Sequence, residues 1–124
     1  MNIADFAKRC GLTPHTLRYY ERIGLLGSVT RLANGHRSFG PRDVEWVEFL
    51  HRLRSTGMGV NEMLRYAELR AQGDSTLFQR KQMLSQHAER LASDLREQQA
   101  HLRVVRQKIA IYEGLIQESN EALT

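Results

Sequence analysis

Four polar side chains between Thr13 and Gly24 recur at helical spacing. In Thr-Pro-His-Thr-Leu-Arg-Tyr-Tyr-Glu-Arg-Ile-Gly, His15, Arg18, Tyr19 and Arg22 stand at i, i+3, i+4 and i+7, on one face of a helix wound at about 100° per residue. Leu17, Tyr20 and Gly24 fall roughly opposite. Two guanidinium groups, an imidazole and a phenol on one outward face suit hydrogen bonding to phosphate oxygens and base edges, and such a helix can enter a DNA groove. An ordinary solvated basic helix carries the same amphipathic pattern, so this face alone leaves both readings open. No other constellation points to catalysis. His15, His36, His51, His87 and His101 are scattered, and neither paired carboxylates nor a nucleophile beside a base appears. Cys10 is the only cysteine, which excludes an intrachain disulfide and a multi-cysteine metal site. The reading is therefore a non-enzyme without cofactor or metal.

The elements that must hold this face are set by local signals. Thr13 suits an N-cap, and Pro14 suits the first helical position, where its missing N–H is not needed. Upstream, Asn2 caps a short helix with Asp5 three positions on. Ile3, Phe6, Ala7 and Cys10 form its apolar stripe, and Gly11 ends it with a left-handed backbone. Two short helices joined by a tight glycine-containing turn make a helix-turn-helix. Cys10 on the buried stripe reads as a small core residue rather than a reactive thiol. Downstream, Asn34-Gly35 marks a tight turn between short segments of β character whose arms hold Arg31, His36 and Arg37. A basic hairpin in this place reads as a wing that grips phosphates or reaches the flanking minor groove.

Pro41 opens a third helix to about Thr56, with Val44, Trp46, Val47, Phe49, Leu50 and Leu53 as a broad core face. Trp46 is read as packing, and Arg52 and Arg54 as either solvated or DNA-facing. Residues 60–72 form a fourth helix with Val60, Met63, Leu64 and Ala67 inward, ended by Gly73, and Asp74, Ser75 and Thr76 offer caps for a fifth helix. From Leu77, steps of four and three reach Lys81, Leu84, Ala88, Leu91, Leu95, Gln98, Leu102, Val105, Ile109, Tyr112 and Ile116, ten of the twelve apolar. That sustained heptad predicts a helix about 60 Å long. A narrow apolar seam of this length needs another helix, most simply its own copy in a homodimer. Lys81 and Gln98 interrupt the seam and would fix register. The predicted domains are 1–73 for the winged helix-turn-helix with its connecting helices, 74–118 for the dimerisation helix, and 119–124 for a short tail.

Charge is unevenly placed along the 124 residues. Residues 1–42 hold seven Lys+Arg against two Asp+Glu, whereas 74–124 hold seven of each. The net positive charge therefore sits around the first motif, which points to a polyanion at one end of the molecule. No run of about 18 apolar residues and no signal segment occurs, which predicts a cytoplasmic protein without a membrane partner.

Thr-Leu-Arg-Tyr-Tyr-Glu-Arg-Ile-Gly-Leu-Leu at 16–26 resembles the MerR family of bacterial transcription regulators. So do Asn34-Gly35-His36-Arg37, Leu53-Arg54-Ser55-Thr56-Gly57-Met58 and the terminal heptads. Tyr66-Ala67-Glu68-Leu69 and Gly73-Asp74-Ser75-Thr76 are similar to the connecting segment of the AdhR/NmlR type, the small regulators of aldehyde and electrophile stress. The resemblance implies an all-α fold with a small β-hairpin wing, and an antiparallel coiled coil in a homodimer. The dimer would bind a pseudo-palindromic promoter with an overlong spacer, near the bacterial nucleoid, and distort that DNA so that RNA polymerase can engage. Such a deformation costs a few kcal/mol, offset by phosphate contacts at both half-sites. Candidate DNA-contacting residues are Thr13, His15, Thr16, Arg18, Tyr19, Tyr20, Arg22, Arg31, His36, Arg37 and Arg54. His36 replaces the family's usual wing Tyr. Tyr20 lies on the inward face, where it would pack while its hydroxyl reaches a phosphate.

The resemblance also implies a sensor cysteine where this chain has Arg52, which cannot form a thiol adduct, and residues 110–124 hold no cysteine for a metal. The small-molecule effector is thus unassigned; a pocket at the junction of the third and fourth helices with the partner's coil, lined by Trp46, Tyr66 and Tyr112, is one expectation, and oxidation of Cys10 another. The competing functions are a DNA-bending architectural or recombination accessory protein of excisionase-like winged-helix type, and a coiled-coil interaction protein without a nucleic-acid role.

Overall fold

A computed structural model describes residues 1–27, 30–31 and 37–123, with the backbone alone for 30, 31, 37 and 38. Five α-helices run in the order α1 (Ile3–Cys10), α2 (Pro14–Arg22), α3 (Pro41–Ser55), α4 (Val60–Ala71) and α5 (Leu77–Leu123). Strands β1 (Thr30–Arg31) and β2 (Arg37–Ser38) lie between α2 and α3 and pair antiparallel, Thr30 opposite Ser38 and Arg31 opposite Arg37. The Asn34-Gly35 turn and His36 lie outside the described residues. The chain divides into two units, Met1–Ser85 and Gln86–Thr124.

Helix starts in the first unit, the head, obey side-chain chemistry. Asn2 Oδ1 accepts from the Asp5 N–H at 2.9 Å, and Thr13 Oγ1 accepts from the Thr16 N–H at 3.1 Å. Each satisfies a donor that the helix would otherwise leave orphaned. At α3, where Gly40 lacks a capping side chain, Asp43 Oδ2 reaches back to the Gly40 N–H at 2.8 Å. Helix ends share one device. Gly11, Gly24 and Gly57 adopt φ of 73°, 94° and 99°. The next residue's N–H then bonds back across the last turn, Leu12 to Ala7 O, Leu25 to Tyr20 O and Met58 to Leu53 O, each at 2.9 Å. This is the Schellman geometry, and it turns an apolar side chain inward directly after each helix. Leu25 and Met58 are accordingly buried.

Those turned-in residues join one core with Phe6, Ala7, Cys10, Leu17, Tyr20, Val44, Trp46, Val47, Leu50, Leu53, Met63 and Tyr66. Phe39, directly after β2, is part of it. Its ring stacks on Phe6 at 4.2 Å and 12°, and its backbone exchanges two bonds with Met1, N–H to Met1 O at 3.1 Å and carbonyl from Met1 N at 3.2 Å. The outgoing strand is thus fastened to the head.

Several sequence expectations need correction. On α4, Val60, Leu64 and Ala67 are only half-buried, while Tyr66 and Leu69 join Met63 as its buried residues, so the inward face is rotated from the one expected. Asp74, Ser75 and Thr76 do not cap α5 but form a 3₁₀ turn leading into it. Thr76 is buried there. Its hydroxyl lies within hydrogen-bond reach of the Leu69 and Gly73 carbonyls and accepts from Arg80 Nε at 3.1 Å, while Arg80 Nη2 donates to Gly73 O at 3.0 Å. Along α5, Leu84 does not stand free for a seam; with Met83 it packs against the head's own core. The helix also continues past 118 to Leu123, because no proline or capping sequence stops it.

In the second unit, all described residues belong to α5. Its heptad residues Leu95, Leu102, Val105, Ile109, Tyr112 and Ile116 are 47–60% exposed in the single chain. No described helix is long and apolar enough to cross a membrane.

Candidate nucleic-acid interface

The outward face of α2 forms as its spacing predicts. Leu17 and Tyr20 are buried beneath it, and His15, Arg18, Tyr19 and Arg22 are exposed. Arg22 lies over the Tyr19 ring, its guanidinium carbon 5.5 Å from the centroid. That contact restrains two long side chains at little cost in charge, since a guanidinium stacked on an aromatic face keeps its N–H fork for other acceptors. At the start of the helix the Thr13 and Thr16 hydroxyls are 3.0 Å apart, and Thr13 already accepts from the Thr16 N–H. Together with the amino-terminal N–H groups of α2 they make a small polar edge beside the basic face. The N-terminal end of a helix favours an anion.

Tyr20 is 5% exposed, so it is foremost a core residue. Burial pushes its phenol above the ordinary tyrosine range; the Arg54 charge pulls the other way, and Tyr19 adds slightly to the rise. The Tyr19 and Tyr20 rings are 6.1 Å apart on α2. Arg54 itself is exposed. The sequence marks Arg54 and Tyr20 separately; nothing in their spacing says that the charge of one acts on the phenol of the other. Strands β1 and β2 carry Arg31 and Arg37 opposite one another in register. The side chains of Arg31 and Arg37, and all of His36, lie outside the described residues.

The residues expected to sense a signal are distributed differently. Trp46 stacks on Tyr66 at 5.9 Å and 16°, and its indole N–H donates to the Leu25 carbonyl at 2.8 Å. Both aromatic residues are buried in the head, while Tyr112 is 58% exposed in the second unit. Trp46 and Tyr66 thus pack against one another in the core of the head, as the sequence reading of Trp46 expects. Cys10 is buried, and burial foremost raises its thiol above the ordinary range, with the Glu48 charge adding and Arg9 opposing. A thiol held neutral is a poor nucleophile. Arg52 is exposed near the end of α3, where its carbonyl accepts from Thr56 Oγ1 at 2.7 Å. Among the described residues no group of three or more His, Cys, Asp or Glu is placed to hold a metal ion.

Comparison with known proteins matches this arrangement. Residues 2–39 fit the MerR family regulatory protein pattern. The chain is 42% identical over 91 residues to the HTH-type transcriptional regulator AdhR of Bacillus subtilis (strain 168), a match covering 73% of this chain and 65% of that protein. It is 31% identical over 110 residues to an uncharacterized HTH-type transcriptional regulator of Haemophilus influenzae, covering 89% and 82% of the two. Among solved structures it is similar to HiNmlR, a MerR family regulator lacking the sensor domain, bound to promoter DNA. The TM-score is 0.84 at 30% identity, with 91% of this chain and 86% of that one covered.

Proposed function

The chain belongs to the MerR family of transcriptional regulators, and from that premise we propose that it binds a pseudo-palindromic promoter as a homodimer and distorts the spacer to control RNA polymerase. The observation that carries this reading is the exposed cationic face of α2, in a head similar to one crystallised on promoter DNA. Arg18 and Tyr19 reach the major groove, Arg22 and His15 flank them, and Thr13 and Thr16 meet a phosphate at the helix start. Arg54, exposed near the end of α3, holds the backbone there. The β1–β2 pair acts as a wing with Arg31, His36 and Arg37 on the neighbouring phosphates or minor groove. Tyr20 contributes by packing and, through its hydroxyl, at most one phosphate contact.

The dimer rests on α5. Exposed apolar residues at steps of three and four along the second unit need a second helix, and an antiparallel pair gives two α2 faces related by a two-fold axis. In this reading 1–73 bind DNA, 74–118 dimerise and 119–124 are a short tail. The protein acts in the cytoplasm, at the nucleoid, as a regulator and not as an enzyme. An architectural DNA-bending role would use the same head without need of so long a seam.

Binding to DNA from the gene's own locus, measured across salt, tests the proposal. Each Arg lost from a phosphate in both protomers should flatten the log–log salt slope by about 1.8, from roughly 0.9 per phosphate contact. Arg18→Ala should cost about 1–3 kcal/mol where the contact is to a base. Run-off transcription from a long-spacer promoter separates a regulator, which changes transcript yield, from an architectural protein, which does not. Salt-insensitive binding, or none, would overturn the reading.

A further inference from the structure

Among the described residues, the head contains a cleft that the DNA reading does not use. It has a volume of about 290 Å³ and opens between the segment after α2 and the side of α4, with Ile23 and Gly24 on one wall and Leu64 and Ala67 on the other. Trp46 and Arg70 also line it. The cleft is mostly apolar, and its volume lies at the small end of ligand sites. Trp46 is fixed twice, by its N–H on the Leu25 carbonyl at 2.8 Å and by its stack on Tyr66. Arg70 lies with its guanidinium carbon 4.1 Å from the indole centroid. A guanidinium laid on an indole is held in one plane, and its N–H fork remains to be matched by two oxygens. Among the described residues Arg70 has no carboxylate in ion-pair reach. The other charged group of the lining, Glu68, is drawn along α4 to Arg65 at 3.6 Å.

We propose that this cleft binds a small aromatic carboxylate, the ring between the Ile23–Gly24 and Leu64–Ala67 walls and the carboxylate on Arg70. Three features together set the class: room for a single ring, apolar walls, and one preset cation with a planar donor fork. A phosphate ester would match the charge but not the walls, and a neutral aromatic would leave the guanidinium unused. The site is independent of whether the head binds DNA, although one wall is the segment that leads directly out of α2.

The chain supplies its own probe, because Trp46 is its only tryptophan and lines the cleft. The full-length protein is titrated with benzoate and phenylacetate, with benzamide as the neutral isostere and inorganic phosphate as the bare anion, while Trp46 emission is monitored. The expected result is a saturable change with the carboxylates, at a Kd on the order of 1 mM or tighter, and none with benzamide or phosphate over the same range. Arg70→Gln should weaken the carboxylates by about tenfold or more, the loss of a charge-assisted pair. Ala67→Leu, which fills the cleft, should abolish the change while leaving far-UV circular dichroism intact. Equal binding of benzamide, an unchanged affinity in Arg70→Gln, or no saturable change in the wild-type protein would each overturn the proposal. Operator binding measured on the same samples is read separately, so its failure would bear on the promoter reading alone.

Discussion

Phe39 should be the residue on which the β pair depends most. Its ring is 4% exposed and lies 4.2 Å from that of Phe6, which is wholly buried. Phe39→Ala removes a buried aromatic side chain and leaves its cavity, a loss of about 3–5 kcal/mol. Phe39→Leu keeps most of the apolar volume and loses the stack, worth about 0.5–1.5 kcal/mol beyond area, so its cost should be about 1–2 kcal/mol. The backbone bonds to Met1 are available to both variants, so the series isolates the ring. Urea unfolding monitored by Trp46 emission gives the free energies, at one fixed chain concentration because association adds to apparent stability. At about 4 °C or more per kcal/mol for a domain of this size, the alanine variant should melt at least about 12 °C lower. An alanine cost under about 1 kcal/mol with an unchanged denaturant slope would refute this account of the anchor. Equal losses for Leu and Ala would show that the ring stack, not the filled volume, is what matters, and a Leu variant as stable as the native chain would show the reverse.

Thr76→Val should cost about 1–3 kcal/mol, since it removes the hydroxyl that bonds backbone carbonyls and receives Arg80 Nε; Thr76→Ser should restore much of it, and urea midpoints decide. Cys10 and Tyr20 both have their pKa raised by burial, so the folded chain holds the extra protons. The stability they confer is complete below their ordinary values and is lost as pH rises through the raised ones. Urea midpoints should therefore fall on the alkaline side, less so in Cys10→Ala, and a midpoint that rises there would contradict the burial. Iodoacetamide should label native Cys10 far more slowly than the same thiol in urea, and matching rates would refute its inertness. Leu102→Glu should weaken self-association by about 3 kcal/mol or more if that position meets another copy, visible by sedimentation, with the melting of the head unchanged. An undiminished dimer would place the seam elsewhere.

The features that could be read from sequence are those the chain settles locally. Asn2, Thr13 and the glycines at 11, 24 and 57 act within a turn or two of themselves, so each helix of the head begins or ends near where its residues say. The α2 face is legible for the same reason: a period of 3.6 separates Arg18 from Leu17 whatever surrounds the helix. Burial that depends on several elements was not legible. Tyr66 and Leu69 turn inward because α3 and the 3₁₀ turn approach α4 from sides its own periodicity cannot report. Thr76 reads as a cap, since a threonine before an apolar run looks the same whether its hydroxyl meets an N–H or a carbonyl. Leu84 keeps the heptad rhythm and yet serves the head, because a 4–3 repeat records which residues share a side, not what covers them. Arg70 over Trp46 is a meeting of residues distant in sequence, and no spacing announces it.

The packing of Met83 and Leu84 onto the core has a consequence for biosynthesis. Synthesis runs from the amino terminus, and domains fold as they are completed. Here the region that carries the basic face is not complete at the glycine after α4, where a fragment would naturally be cut, but eight residues into the long helix, at Leu84. A nascent chain stopped at 73 would present an apolar seat with nothing on it, and so would a recombinant fragment of that length. A head made for solution work should therefore run through residue 85. In the cell, the first two turns of α5 leave the ribosome as the last pieces of one fold and the first of the long helix beyond it.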